Sequence, residues 1–240
     1  MEEFVKTTLF AALLITLFSC GKNDPPTGKP SPIIGGNSFI EEITTASLTN
    51  GRTLTQSEAK TIMTDNFDAI TKVEVGMKWR ETSQALFMTS QNDDSKYCYQ
   101  KTETETEILE ILPVGTAQNI EGDAIKVESN TKITFIEGND CSGDIGTTES
   151  FGPNTYEMEN HTTTMSPEEE VQGFDQFDSI QVGTYNNRQA MKASITFDGT
   201  QYHALDYFDN PSIVGAFMVH HTQTHNGKTF INASKREVLE

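Results

Sequence analysis

The stretch Thr102-Glu103-Thr104-Glu105-Thr106-Glu107 gives the clearest fold signal in this chain of 240 residues. A hydroxyl and a carboxylate alternate along it, and successive side chains of a β-strand point to opposite faces of a sheet. A strand here places the threonines on one face and the glutamates on the other. A row of carboxylates could collect Ca²⁺, which needs about six to eight converging oxygens. A solvated outer face explains the pattern more simply, and we predict that arrangement.

Strand-like segments continue on both sides of this stretch. They are rich in β-branched and aromatic residues and are separated by Gly, Asn and Asp clusters. In the first half we predict strands at Val73–Val75, Lys78–Thr89, Lys96–Thr102, Glu107–Leu112, Ala124–Ser129 and Thr131–Glu137. In the second half we predict strands at Thr155–Thr164, Ser179–Tyr185, Ala190–Phe197, Gln201–Phe208, Ile213–Gln223 and Lys228–Ala233.

Short turn sequences join these segments. Ser129-Asn130-Thr131 and Glu137-Gly138-Asn139-Asp140 have turn composition, and Asp198-Gly199 and Asn226-Gly227 are strong hairpin signals, since type I′ turns need positive φ at both central positions. The sequence therefore predicts a mainly β fold of about ten to twelve strands in an antiparallel meander. Closure as a barrel or a two-layer sandwich would remove exposed sheet edges.

One helix precedes the strands. Thr55-Gln56-Ser57-Glu58 is a capping-box pattern. Apolar residues then recur at helical spacing, with Ala59, Ile62 and Met63 in the first turns. This predicts one N-terminal helix over about residues 57–69.

The chain begins with an apolar run from Leu9 to Phe18 that closes on Leu17-Phe18-Ser19-Cys20-Gly21. The run is shorter than the ~20 residues that span a bilayer and fits the core of an export signal. The closing residues resemble the lipobox of bacterial lipoproteins. This resemblance implies a signal peptide over residues 1–19 and a mature N-terminus at Cys20 that carries lipid.

Residues 20–38 contain four of the eight prolines among Gly, Lys, Asn and Ser. Such a composition stays extended, so we predict a tether followed by a single mostly-β domain over residues 39–240. Lys22-Asn23-Asp24 resembles the charged surface-export tags of Bacteroidota lipoproteins. We expect the lipid-anchored protein at the outer membrane, in either the periplasmic or the surface-exposed leaflet. Asp178-Ser179-Ile180 resembles the O-glycosylation acceptor of the same bacteria.

The formal net charge is −18 at pH 7. A chain this acidic repels nucleic acid and anionic lipid head groups, so a nucleic-acid partner is excluded. The lipobox accounts for one of the three cysteines, which leaves Cys98 and Cys141. In an oxidising compartment, and without a Cys-x-x-Cys motif, this pair predicts a structural disulfide.

Histidines fall in the last three predicted strands. His221 and His225 could share a face of one strand and His203 could lie on its neighbour, so three imidazoles could hold zinc or copper. Solvated strand histidines are commoner, and we predict neither a metal nor another cofactor. The sequence has no nucleophile motif in a usable context and no phosphate-binding glycine loop before a helix. We therefore predict a non-catalytic protein.

Gly76-Met77-Lys78-Trp79-Arg80, near the start of the strand region, resembles the Gly/Trp opening of lipocalin-like domains. Lys132-Ile133-Thr134-Phe135 and Ile195-Thr196-Phe197-Asp198-Gly199 resemble the strand-then-turn steps of bacterial lipocalin-like lipoproteins. That resemblance implies an up-and-down barrel around a small apolar ligand. The charge, the tether and the lack of catalytic motifs favour instead a surface interaction protein whose partner is a protein or glycan. We retain the interaction protein as the main hypothesis and the cavity binder as the alternative.

Overall fold

The structure, a computed structural model, describes residues 33–34, 47–66, 72–93, 95–117, 120, 123–160, 177–197, 200–208 and 217–239. These residues form eleven strands and one helix. The first elements are β1 (Ile33–Ile34), β2 (Thr49–Thr53), α1 (Gln56–Asp65), β3 (Lys78–Met88), β4 (Tyr97–Leu112), β5 (Ala124–Gly138) and β6 (Thr148–Glu159). The remaining strands are β7 (Ser179–Tyr185), β8 (Arg188–Phe197), β9 (Thr200–Tyr207), β10 (Phe217–His225) and β11 (Lys228–Leu239).

Hydrogen bonds connect the strands in the order β2-β7-β8-β9-β10-β11-β3-β4-β5-β6. All neighbours on this path are antiparallel, and β1 adds to β11 in the parallel direction. The predicted mainly β, antiparallel fold with one N-terminal helix is thus confirmed. Barrel closure is not supported, because β2 and β6 lie at the two ends of the path and do not pair with each other in the described part of the chain. β1 lies inside the segment predicted to be a tether.

Two predicted strand breaks are absent. The predicted strands Lys96–Thr102 and Glu107–Leu112 fall in the single long strand β4, which begins one residue later, at Tyr97. Ala124–Ser129 and Thr131–Glu137 both belong to β5. The predicted turn at Ser129-Asn130-Thr131 was therefore wrong. β5 is hydrogen-bonded to β4 on one side and to β6 on the other, so its backbone stays extended, and the irregularity there is a register shift against β6.

The hairpin prediction at Asn226-Gly227 is confirmed. His225 pairs with Lys228, and the two turn residues have φ angles of 48° and 70°. Asp198-Gly199 lies outside the described residues, but Phe197 and Thr200 on either side are paired.

α1 begins with the predicted capping box. The Glu58 amide donates to the Thr55 hydroxyl at 3.2 Å, and the Thr55 amide donates to the Glu58 carboxylate at 2.8 Å, which lowers the pKa of that carboxyl. The helix ends at Asp65 with Asn66 as its C-cap, earlier than the predicted Ala69, which lies outside the described residues. Met63 packs against β7 and β8 in a buried cluster. Among the described residues, no helix has the length and apolar content to cross a bilayer.

The predicted disulfide between Cys98 and Cys141 is present, with Cα atoms 4.9 Å apart. It joins the start of β4 to the loop that follows β5, across 43 residues of sequence. The chain-entropy argument gives a loop of this size about 4 kcal/mol of stabilisation.

The buried side chains form several separate clusters. One lies under α1; the second contains Trp79, Ile108, Ile125 and Val127; the third contains Leu86, Tyr97, Tyr99 and Phe230. The second and third clusters both draw on β3 and β4, but they lie at opposite ends of these strands. Between them, β3 parts from β11.

Buried polar groups lie at this point of separation between β3 and β11, here named the fork. β3 pairs with β11 only as far as Gln84 and Ala233, and β1 pairs with β11 farther toward its start. Where the ladder is interrupted, the Leu86 amide donates to the Asn232 side-chain oxygen at 2.7 Å. The Tyr99 hydroxyl donates to the Ile231 carbonyl at 2.5 Å. Burial raises the pKa of the Tyr99 hydroxyl.

Candidate functional site

The predicted alternation of Thr102–Glu107 is present in β4. Trp79 of β3 pairs with Thr106, and Arg80 pairs with Glu105. Because residues in register share a face, Trp79, Glu81, Ser83 and the three threonines lie on one side of the sheet, here named the threonine face. The opposite side, here named the carboxylate face, carries Lys78, Arg80, Thr82 and the three glutamates.

A groove of about 280 Å³ lies on the threonine face. Its lining combines the hydroxyls of β3 and β4 with side chains from the outer strands β11 and β6. The lining residues are Trp79, Glu81, Ser83, Thr102, Thr104, Thr106, Tyr156, Met158 and Arg236. We name this cavity the threonine groove.

The two walls of the threonine groove come from strands that are four spacings apart. In a flat sheet, β11 and β6 would be separated by about 19 Å. Arg236 of β11 and Tyr156 of β6 nevertheless line the same groove. The half-sheet β11-β3-β4-β5-β6 is therefore concave on this side, and β3 and β4 form its floor.

An ion pair forms one wall. Arg236 donates to one carboxylate oxygen of Glu81 at 2.8 Å, and the Ser234 hydroxyl lies 3.4 Å from the other oxygen. The Arg236 side chain is only 13% exposed. Both charges are thus bonded within the wall, and the groove carries no net charge from them.

The other wall presents an aromatic ring. Tyr156 is 44% exposed and faces the groove next to Met158, whereas Trp79 at the end of the groove is 5% exposed. On the floor, the hydroxyls of Thr104 and Thr131 are hydrogen-bonded to each other at 3.1 Å. The groove thus offers a ring surface opposite an ion pair, with hydroxyl groups between them.

The carboxylate face is organised differently. Each glutamate of the alternating stretch has a cation beside it: Lys101 lies 3.0 Å from Glu103, Arg80 lies 2.5 Å from Glu105, and Lys78 lies 2.8 Å from Glu107. The Glu105 carboxylate raises the pKa of Arg80. These exposed pairs support the predicted solvated face, because neighbouring cations oppose the collection of Ca²⁺ at this row.

A second cavity, of about 320 Å³, lies on the carboxylate face. Arg80, Glu103 and Glu105 line one side of it, and Phe151 and Gly152 of β6 line the other. Lys132 of β5 also lines it, so charged groups of both signs border this cavity.

The histidines are arranged by the register of β9, β10 and β11. His203 is the pairing partner of His220, while His221 pairs with Asn232 and His225 with Lys228. The register therefore places His203 beside His220 on the neighbouring strand, and the grouping of His203, His221 and His225 stays a prediction. Among the described residues, no three His, Cys, Asp or Glu side chains come together in a group that could hold a metal ion.

His225 lies near the disulfide end of the sheet. Its ring is 5.2 Å from that of Tyr97 in an edge-on contact. Tyr97 also donates to Glu137 at 3.2 Å, and Glu137 is paired with Lys228, whose pKa it raises. These contacts join the turn between β10 and β11 to β4 and β5, and they explain the position of His225 without a metal.

Of the predicted modification sites, only the glycosylation acceptor Asp178-Ser179-Ile180 falls among the described residues. Cys20 and the signal peptide lie outside the described residues. Asp178 precedes β7 and accepts a hydrogen bond from the Thr196 amide at 2.6 Å, and Ser179 is the first residue of that strand.

No family model, no curated protein and no solved structure matches this chain. The groove therefore stands on its own geometry. Sequence reasoning placed the threonines on a common face but did not select Glu81, Tyr156 or Arg236. These residues lie on three different strands, and only the register between strands shows that they line one cavity.

Proposed function

We propose that this chain is a non-catalytic interaction protein of the bacterial cell envelope, held at the outer membrane by lipid on Cys20. We further propose that the threonine groove receives its partner. The observation that carries the proposal is the lining of this groove, where hydroxyls, a bonded ion pair and a half-exposed tyrosine come together from four strands. None of these groups forms a nucleophile–base pair, so the groove is suited to recognition.

The entry point of the chain supports presentation of the groove away from the membrane. β1 joins the sheet beside Thr229 and Phe230 at the start of β11. Arg236 lies about 20 Å farther along the same strand, at about 3.3 Å per residue. If the tether enters the domain at β1, the groove lies toward the end of the domain that is farther from the membrane.

The alternative function, a lipocalin-like barrel around a small apolar ligand, has less support. The sheet path is open, which favours the two-layer arrangement over a barrel. Glu81, Arg236 and four hydroxyl residues line the groove. An apolar ligand would cover these groups without bonding them, at a cost of about 1–3 kcal/mol for each polar group left unsatisfied.

The single tryptophan of the chain allows a direct test, because Trp79 lines the groove. We expect outer-membrane extract to change the Trp79 fluorescence of the mature, disulfide-bonded protein. The change should disappear in Tyr156→Ala, which removes the exposed ring of the groove. It should persist in Phe87→Ala, which removes a ring of similar exposure, 47%, that lies toward the other end of β3 and does not line the groove. Equal responses from the two variants would contradict the proposal.

The anchor is tested separately. Cys20→Ala should release the protein from the membrane fraction and abolish metabolic labelling with palmitate, whereas Ser19→Ala keeps a small residue before the cysteine and should preserve both. Unchanged membrane retention of Cys20→Ala would show that the lipobox interpretation is wrong.

A further inference from the structure

We propose that the ligand of the threonine groove is an uncharged glycan chain, which adds a ligand class to the proposed function and rests on it. The charge, the hydroxyl groups, the strand edges and the aromatic wall of the groove each exclude or favour one class of ligand.

Charge disfavours ionic ligands. The two charged residues that line the groove, Glu81 and Arg236, form an ion pair with each other at 2.8 Å. A charged ligand would have to break this pair in order to gain a partner. Anions also approach a chain with a net charge of −18 against long-range repulsion.

The hydroxyl groups favour a ligand that is itself rich in hydroxyls. Thr102, Thr104 and Thr106 repeat along one face at about 7 Å, two residues of a strand apart. Ser83 lies beside them on β3. Thr106 is only 5% exposed and the Thr104 hydroxyl is bonded to that of Thr131. A hydroxyl can both donate and accept, so the remaining bonding capacity of the floor can match the hydroxyls of a sugar.

The position of the groove disfavours an extended peptide. Peptides that bind to sheets typically add to an exposed edge, where backbone groups are available. The floor strands β3 and β4 are interior strands, with neighbours on both sides. The nearest edge strand, β6, is interrupted by Pro153 and carries Glu157 and Glu159, which are features that block strand addition.

The aromatic wall provides the apolar contact that a sugar needs. The Tyr156 ring is half-exposed and stands across the groove from the ion pair. The C–H groups of a pyranose can pack on such a ring while the sugar hydroxyls bond to the floor. The volume of about 280 Å³ lies just below the usual range for small-molecule sites, about 300–1,000 Å³, and suits one or two sugar units.

The test is a titration of the mature, disulfide-bonded protein with uncharged oligosaccharides, followed by Trp79 fluorescence and by isothermal calorimetry. The probes are disaccharides and tetrasaccharides of α- and β-linked glucose, mannose, galactose and N-acetylglucosamine. Anionic uronate oligomers and an extended uncharged peptide are titrated in parallel. We expect saturable binding of at least one uncharged glycan and no binding of the uronates or the peptide.

Matched variants locate the binding. Tyr156→Ala should weaken it about tenfold or more, and Thr104→Val should weaken it several-fold, because each removes a contact inside the groove. Phe87→Ala and Thr82→Val are the controls: the first removes an exposed ring outside the groove, the second removes a hydroxyl on the carboxylate face, and both should leave the affinity unchanged. Thermal unfolding of each variant verifies that it is folded.

The outcomes separate this inference from the proposed function. If outer-membrane extract changes Trp79 fluorescence through Tyr156 but no uncharged glycan binds, the glycan assignment is wrong and the interaction function stands. If a glycan binds equally to Tyr156→Ala and to the intact protein, the groove is not its site. If neither extract nor glycan has an effect, both proposals fail.

Discussion

The two faces of β4 are built from the same six residues, and they differ in what surrounds them. On the threonine face, the sheet curves so that Arg236 and Tyr156 enclose the hydroxyls in a groove. On the carboxylate face, each glutamate is exposed and lies beside a lysine or arginine. A perfectly alternating polar strand therefore produces one enclosed face and one solvated face, and the neighbouring strands decide which is which.

The face of the sheet that is buried also changes along β3 and β4. Near the start of β3, Trp79 of the threonine face is buried; near its end, Leu86 of the carboxylate side is buried and Phe87 is 47% exposed. The change occurs at the fork, where β11 leaves β3 and Phe230 packs over Tyr97 and Tyr99. The buried face of β3 is therefore the threonine face at one end and the carboxylate face at the other, although the pleat of β3 is regular.

The largest expected effect tests this change of sides. Trp79→Ala should lower the free energy of unfolding by about 3–5 kcal/mol, because it empties a buried site in contact with Ile108 and Ile125. Phe87→Ala, on the same face at the other end of β3, should cost under about 1 kcal/mol. Urea unfolding followed by circular dichroism measures both, and similar losses would show that the threonine face is buried uniformly.

A variant without the disulfide tests whether the stability of the domain and ligand binding in the groove are independent. Cys98→Ser combined with Cys141→Ser should lower the free energy of unfolding by about 2–4 kcal/mol, since the unfolded chain without the bridge gains conformational freedom. The bridge lies at the start of β4, away from the threonine groove. Ligand affinity measured well below the unfolding temperature should therefore stay within about twofold of that of the intact protein. A loss of binding in the folded variant would place the disulfide end in the site.

The smallest expected effects compare one ion pair from each face. Glu81→Gln should cost about 1–3 kcal/mol, because it leaves the largely buried Arg236 without its carboxylate. Glu105→Gln should cost under about 1 kcal/mol, because its partner Arg80 is exposed to water.

Salt distinguishes the two pairs further. The effect of Glu105→Gln should shrink between about 0.05 and 1 M NaCl, since exposed charges are screened, and that of Glu81→Gln should persist. Denaturant midpoints at the two salt concentrations measure this difference. Equal salt dependence would mean that the groove pair is as solvated as the outer pairs.

Local sequence patterns were sufficient for several features. The capping box at Thr55 and Glu58, the Asn226-Gly227 turn and the Cys98–Cys141 bridge depend on neighbouring residues or on a single remaining pair, and all three are present. The predicted turn at Ser129-Asn130-Thr131 failed, because strands on both sides of β5 hold a turn-like sequence in an extended conformation. Local composition does not show how many neighbours a strand will have.

By itself, the sequence determined that this chain forms antiparallel strands and that β4 separates hydroxyls from carboxylates, because the pleat of a strand depends only on alternation along the chain. It did not determine which face would be enclosed. The tertiary structure decided this through the register of β3 against β11 and of β5 against β6, which brings Glu81 to Arg236 and places Tyr156 opposite them. Register and curvature depend on pairing between residues far apart in the chain, and no single stretch of sequence contains that information.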